Sequence, residues 1–305
     1  MKLEKGKIIP LKEDFLFKKV FGSNENIERL EELMSIYFHV PKEEMKGKIV
    51  ILNDTIRKET KKSKDQKVDV KLEIQLSVGR KTINIEMNLQ KGSTLERNVL
   101  YVSKILGSQL KSKQSYKDIK PIIQINFDNY EVNERNERII KRCFIKDETN
   151  TIITDILEID HINIAKCKLA WYNKDIDKYE KKEQDLIRLG ALFTIEEIEE
   201  FKTCLKEVSM SKEIKEDIDN AVEEYSQDEE LLELFDKDKI IEADKILAKE
   251  EGMKEGLKEG LKEGYNKGLT DRNIQIAKNL LKDNMDISLI SKYTSLDEET
   301  IKKLK

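Results

Sequence analysis

Residues 66–90, QKVDVKLEIQLSVGRKTINIEMNLQ, alternate apolar and polar side chains over two runs separated by a single glycine. Val68, Val70, Leu72, Ile74 and Leu76 fall on one face of the first run, with Asp69, Lys71, Glu73 and Gln75 on the other. In the second run Ile83, Ile85, Met87 and Leu89 alternate with Asn84, Glu86, Asn88 and Gln90. A period of two over this length predicts two strands, each with one buried face. A turn at Val78-Gly79 would pair Ile74 with Ile83 and Glu73 with Asn84, keeping like opposite like. That register sets Asp69 opposite Asn88 and Lys71 opposite Glu86. Carboxylates diagonal across a strand pair stand roughly 7–8 Å apart at the backbone, so Asp69 and Glu86 can converge on one divalent cation. Alternation alone fits a solvated sheet face better than a metal site.

The chain has 305 residues, enough for one or two domains with a full core. Charged residues make up 39% and the net charge is −4, so any nucleic-acid contact must come from local basic patches. Three scattered cysteines, Cys143, Cys167 and Cys204, suit a reducing compartment and no disulfide framework. With His39 and His161 the only histidines, neither a zinc site nor a histidine general base is expected. No apolar leader and no long apolar run occur, so a soluble, cytoplasmic protein without a membrane span is expected.

Helices are expected at 13–21, 25–38 and 94–113, the last burying Leu95, Val99, Val102, Leu106 and Leu110. Residues 47–53, the continuous apolar run 120–127, and 138–146 and 152–159 read as further strands, with a polar loop at 54–67. The order reads as a mixed α/β sheet flanked by helices. From about 178 strand signals vanish, and an all-helical extension follows. The organisation expected is a core at 1–177, a helical extension at 178–250, a glycine-repeat helix or linker at 251–270 and a small helical module at 271–305. Ser295 and Glu298 fit a capping box opening the last helix.

Glycines at 252, 256, 260, 264 and 268 recur every fourth residue, and Met253, Leu257, Leu261, Tyr265 and Leu269 form a neighbouring stripe. Within a helix they cost roughly 4–5 kcal/mol against alanine. The stripe suits either a close helix–helix contact, giving a homodimer or a dock onto the core, or a semi-flexible helical linker.

Several segments together resemble a known family. EDFLFKKVFG at 13–22, VDV at 68–70, NIEMN at 84–88, Arg97 with Tyr101, and YKDIKPIIQINF at 116–127 resemble the recombination-promoting nuclease/transposase family, within the PD-(D/E)xK nuclease superfamily. The EGxKEG repeat is similar to it too. The resemblance implies a restriction-endonuclease-like core and metal-dependent DNA cleavage. It makes Asp69 and Glu86 the metal-binding carboxylates, with Asp14 and Gln90 in support. Asn88 stands where the superfamily carries lysine, and an amide has no charge to offer.

Phosphodiester hydrolysis needs an activated water and charge compensation, which Mg²⁺, or Mn²⁺ in its place, can supply. Asn88 is a candidate for positioning water or substrate. Lys71 is a candidate for the missing cation, or else an ordinary cross-strand ion-pair partner of Glu86. Glu73 and Gln75 mimic the acidic motif but belong to the first strand. Lys61, Lys62, Lys64 and Lys67 lie in a basic segment that either tracks a DNA backbone or is simply solvated. Arg97 and Lys104 are candidates for holding phosphates. The alternative to an enzyme is a DNA- or protein-binding module on a degenerate nuclease fold.

Overall fold

A computed structural model describes residues 3–52, 55–56, 66–67, 70–76, 79–89, 94–110, 115–132 and 137–304. The chain runs through α1 (Asp14–Phe21), α2 (Ile27–Phe38), β1 (Ile49–Ile51), β2 (Thr55–Ile56), β3 (Gln66–Lys67), β4 (Val70–Leu76) and β5 (Gly79–Asn88). Next come α3 (Thr94–Gln109), β6 (Ile122–Asp128), β7 (Ile140–Lys146), β8 (Ile152–Asn163) and α4 (Ile164–Tyr172). The remainder is helical: α5 (Lys181–Leu192), α6 (Ile198–Glu207), α7 (Lys212–Tyr225), α8 (Glu229–Lys282), α9 (Ile287–Thr294) and α10 (Glu298–Lys303).

Six strands form one mixed sheet in the order β1-β4-β5-β6-β8-β7, with β5, β6 and β8 parallel and the outer pairs antiparallel. This is the expected mixed α/β sheet with a helical C-terminal part. The segment expected as a polar loop instead has a two-stranded ladder at its ends, Thr55 opposite Lys67 and Ile56 opposite Gln66.

The β4–β5 register differs from the expected one by two residues. Ile74 faces Lys81, Leu72 faces Ile83, and Lys71 faces Asn84 and not Glu86. Alternation fixes pairing only as odd or even, because a slip of two keeps every side chain on its own face. The choice among such registers belongs to the turn. Gly79, opposite Leu76, takes φ +119°, a conformation that favours glycine.

One face of the sheet is apolar. Ile83, Ile85 and Met87 join Ile123, Ile125 and Phe127 in a core completed by α1, α2 and α4 to α7. The Phe127 and Phe193 rings stand 5.0 Å apart and Phe17 lies 5.7 Å from Phe193, so aromatic packing ties α1 and α5 to the central strand. The core continues past residue 177: Leu186, Ile187, Leu192, Phe201, Ile218 and Phe235 bury in the same cluster. The compact unit ends at Phe235, and the change at 178 marks where strands stop, not where the core stops.

The second unit, Asp236–Lys305, has its own small cluster of Ala277, Ile290 and Ile301. All five repeat glycines lie inside α8 with open space where a Cβ would sit. Met253, Leu257, Leu261 and Tyr265 are exposed. Ser295 does not open the last helix. It ends α9 with φ +56°, and Asp297 caps α10 by accepting from the Thr300 amide at 2.8 Å. Among the described residues no helix is long and apolar enough to cross a membrane.

At Gly190 packing requires a glycine. A Cβ there would meet Cys167 Sγ at 2.7 Å, where α5 crosses α4. Gly190→Ala should lower stability by about 1–3 kcal/mol, and adding Cys167→Ala should recover part of the loss. Urea denaturation of the single and double variants checks this; an unchanged midpoint in Gly190→Ala would refute it.

Candidate active site

The polar face of the sheet is dry. Thr82, Asn84, Glu86 and Asn88 on β5 and Gln124, Asn126 and Asp128 on β6 are all buried. The run 120–127, expected as a continuous apolar strand, therefore carries Gln124 and Asn126, with Asp128 beyond it, as a polar row on its second face. α3 covers this layer with only part of the stripe its periodicity suggested: Val102 is buried and Leu106 packs against the same cluster. Leu95 and Val99 are about half exposed, at 49% and 53%, while Asn98, Tyr101, Val102 and Ile105 are buried. The reason is the surface beneath. A polar row presents hydrogen-bonding groups under the helix, with apolar contact only around Ile122.

Amides knit the layer together. Asn84 Nδ2 donates to Glu86 Oε1 at 3.0 Å and to Gln124 Oε1 at 2.7 Å. Gln124 Nε2 donates to Asn126 Oδ1 at 3.2 Å. Asn88 Nδ2 donates to Asp128 Oδ1 at 2.9 Å and to Asn126 Oδ1 at 3.3 Å, while its Oδ1 accepts from Arg97 Nη2. Asp128 Oδ2 pairs with His161 Nδ1 at 2.7 Å. Among the described residues, the side-chain carbonyl of Asn84 and both polar atoms of Asn98 are buried without a hydrogen-bond partner, a cost of about 1–3 kcal/mol for each such group. Native structures retain such groups at functional sites more than elsewhere.

Glu86 and Asp128 are the two acids of the layer. Burial pushes the Glu86 carboxyl from 4.5 up to about 7; the Asn84 hydrogen bond and the Arg97 and Lys18 charges oppose that, and the Asp14 charge adds to it. Asp14 opens α1 and is paired with Lys18 one turn later at 2.8 Å. Glu86, Asp14, Arg97 and Lys18 thus form one electrostatic group drawn from β5, α1 and α3. Lys18 escaped the sequence reading, although its i,i+4 spacing from Asp14 on a helix was the available signal.

Other candidates fall as follows. Lys71 stands across from Asn84, and burial lowers its pKa. Glu73 is engaged by Lys120 and, at 3.5 Å, by Arg80, in keeping with its exclusion. The Arg97 guanidinium lies 5.9 Å from the centre of the Tyr101 ring, which packs inward. Lys104 is half-buried on α3. Asp69, Gln90, Lys61, Lys62 and Lys64 lie outside the described residues, and only the backbone of Lys67 is described. Asn84, Gln124, Asn126, Asp128 and His161 were missed. Their signal was the polar alternation 124-126-128 inside an apolar strand.

A divalent cation suits this donor set: hard carboxylate oxygens, a desolvated Glu86 whose charge needs a counterion, and an unsatisfied amide carbonyl beside it. Among the described residues alone, no cluster of three or more His, Cys, Asp or Glu side chains forms a closed metal cage.

The raised Glu86 pKa has a defined consequence for stability. The folded state holds its proton up to about pH 7 and the unfolded chain releases it near 4.5, so stability falls as pH rises between these values. The full difference corresponds to on the order of 3 kcal/mol. Glu86→Gln removes this titration. It should be more stable than the parent near pH 8, by up to that order, and no more stable near pH 4. Asp160, also pushed up to about 7 by burial and the Glu158 charge, titrates in both proteins and cancels in the difference. Urea denaturation at the two pH values checks this, and a variant less stable than the parent near pH 8 would contradict it.

Comparison with known proteins places this geometry. No curated protein and no solved structure matches the chain. A family model described as PD-(D/E)XK nuclease family transposase matches residues 11–250, which contain α1, the whole mixed sheet and the buried polar layer. With most of its length matched, the chain belongs to the PD-(D/E)XK nuclease family transposases.

Proposed function

We propose that this protein is a metal-dependent DNA endonuclease or nickase, with Asp69 and Glu86 as the metal-binding carboxylates and Asp14 in support. The observation that carries the reading is the buried Glu86 carboxyl, desolvated to about 7 and lying in the field of Asp14, Lys18 and Arg97. A buried carboxylate in such company is more useful to catalysis than to stability. Asp69 directly precedes Val70, whose strand partner Ile85 directly precedes Glu86. When bound by these carboxylates, Mg²⁺ or Mn²⁺ supplies charge to offset the phosphate and leaving oxygen and makes water more acidic. Ligation requires Glu86 ionised, so metal affinity should rise with pH toward and through 7.

Asn88 stands where the superfamily usually has lysine, and Arg97 takes over that charge. Asn88 has both donors and its carbonyl engaged by protein groups. It acts by holding the guanidinium of Arg97, an exposed residue close enough to stabilise Glu86 in its charged form. A guanidinium so fixed suits phosphate oxygens. Lys61, Lys62, Lys64, Lys67 and Lys104 would add non-specific backbone contacts. Lys71 is the weaker candidate for the cation, since its strand partner is Asn84. The exposed stripe Met253, Leu257, Leu261 and Tyr265 is the face through which a second copy would join.

The alternative is a DNA-binding module without catalysis. The commitment of both Asn88 amide donors to protein partners favours it, since that side chain has no N–H left to hold a water.

Nicking of supercoiled plasmid by the purified protein with Mg²⁺, Mn²⁺ or EDTA tests the proposal. Nicking should need metal and be lost in Asp69→Ala and Glu86→Ala. Arg97→Ala should reduce the rate by about 10²-fold or more, with Arg97→Lys intermediate. Plasmid bound but uncleaved under every condition would select the binding module. Nicking that survives both carboxylate substitutions would refute the site.

A further inference from the structure

A second feature on the polar face is unaccounted for by the carboxylate site. Asp128 is fully buried, His161 nearly so, and the two are joined at 2.7 Å through Nδ1. A carboxylate holding Nδ1 orients the ring and leaves Nε2 as the nitrogen for an external partner. His161 also lines a cavity of about 540 Å³ at the β7 edge of the sheet. Among the described residues, Arg138, Lys141, Arg142, Lys146 and Lys182 line the same cavity, with one acid, Glu183.

Some of these charges are already spoken for. Lys141 is paired with Glu131, and Arg142 lies 3.4 Å from buried Asp160. Lys182 meets the exposed Glu180 at 2.8 Å, an exchangeable surface contact. Lys146 lies over the Phe144 ring at 5.9 Å from its centre. Arg138 meets Glu183 at 3.5 Å and Glu180 at 3.8 Å. The exposed cations Arg138, Lys146 and Lys182 are those a polyanion would meet, by displacing such surface contacts.

The cavity is also connected to the Glu86 site. One register row crosses four strands, from Glu86 to Asn126, to His161, to Lys141. Asn88, which holds Arg97, donates to the same Asp128 that orients His161. Three strand spacings put the row's ends about 14 Å apart. At ~3.4 Å of helix axis per phosphate, that is about four phosphates of one DNA strand.

We infer that this basic cleft is a phosphate-binding subsite for the DNA strand beyond the cleavage point, with Lys146 and Lys182 as its exposed cations and His161, oriented by Asp128, in its wall. The inference rests on DNA being the ligand of the carboxylate site, but not on that site being catalytically active.

The test is fluorescence anisotropy with a labelled DNA duplex over a salt series, run in EDTA, alongside plasmid nicking with Mg²⁺. Lys146→Ala/Lys182→Ala should weaken binding by about tenfold and reduce the log K against log salt slope by about 2. His161→Gln should weaken binding by several-fold. Because His161 is buried, a thermal melt accompanies it, and the exposed lysine pair decides the matter if that variant does not fold. A lysine-pair variant that binds with the parent's affinity and slope overturns the cleft, as does a parent that does not bind DNA. Cleft-dependent binding without nicking supports the cleft and removes the nuclease reading. Nicking that persists with binding unaffected by the lysine pair removes the cleft and leaves the nuclease.

Discussion

The structure turns on the burial of a carboxyl group inside a layer of amides. Glu86 sits on a central strand, between neighbours on both sides and beneath α3, where water cannot solvate its charge. A lone ionised carboxylate in that position would be untenable. What makes it tolerable is the hydrogen bond from Asn84 and the positive charges of Arg97 and Lys18. Those groups arrive from different elements, so sheet, first helix and third helix must all be in place before the site exists. Other polar members of the layer, Gln124, Asn126 and Asp128, satisfy one another or the backbone and keep the layer from swelling.

Asn88 shows how one substitution can be absorbed by its surroundings. Where the superfamily pattern has a lysine, an amide links Arg97 on one side to Asp128 on the other. In the proposed reading the cation moves from the strand to the helix, and the strand position becomes its anchor. Anchoring matters because a guanidinium held from behind loses less freedom when it meets a phosphate. The same amide chain reaches His161, so the edge of the sheet and its centre share one hydrogen-bonded framework. By contrast the aromatic cluster of Phe17, Phe21, Phe127 and Phe193 on the other face supplies apolar packing and no chemistry.

Much of this was legible before any coordinates. Alternation over 70–76 and 79–88 fixed the strands and their faces, because side chains on a strand alternate without exception. Glu86 stood out as the acidic residue of the motif, and the resemblance carried by NIEMN and KPIIQINF is matched by the family comparison. Less was legible where a choice rested on neighbours far along the chain. Ser295 and Asp297 both look like caps, and only the path of the chain decides which side chain meets an amide. Leu95 and Val99 look like a core stripe, yet the stripe that counts includes Asn98, because α3 rests on polar residues brought from β5 and β6.

The sequence by itself determined most of the strand and helix content, the polar face of the β5 strand and the family. These depend on periodicity and on motif spacing, which are local. Tertiary structure alone decided the register, which alternation leaves free in steps of two, and the partners of each charge. It decided that Lys71 faces Asn84, that Lys18 and Arg97 bear on Glu86, and that Asp128 meets His161 from 33 residues away. The physical reason is that desolvation and charge act through space, so the company a buried group keeps is set by packing and not by its place in the chain.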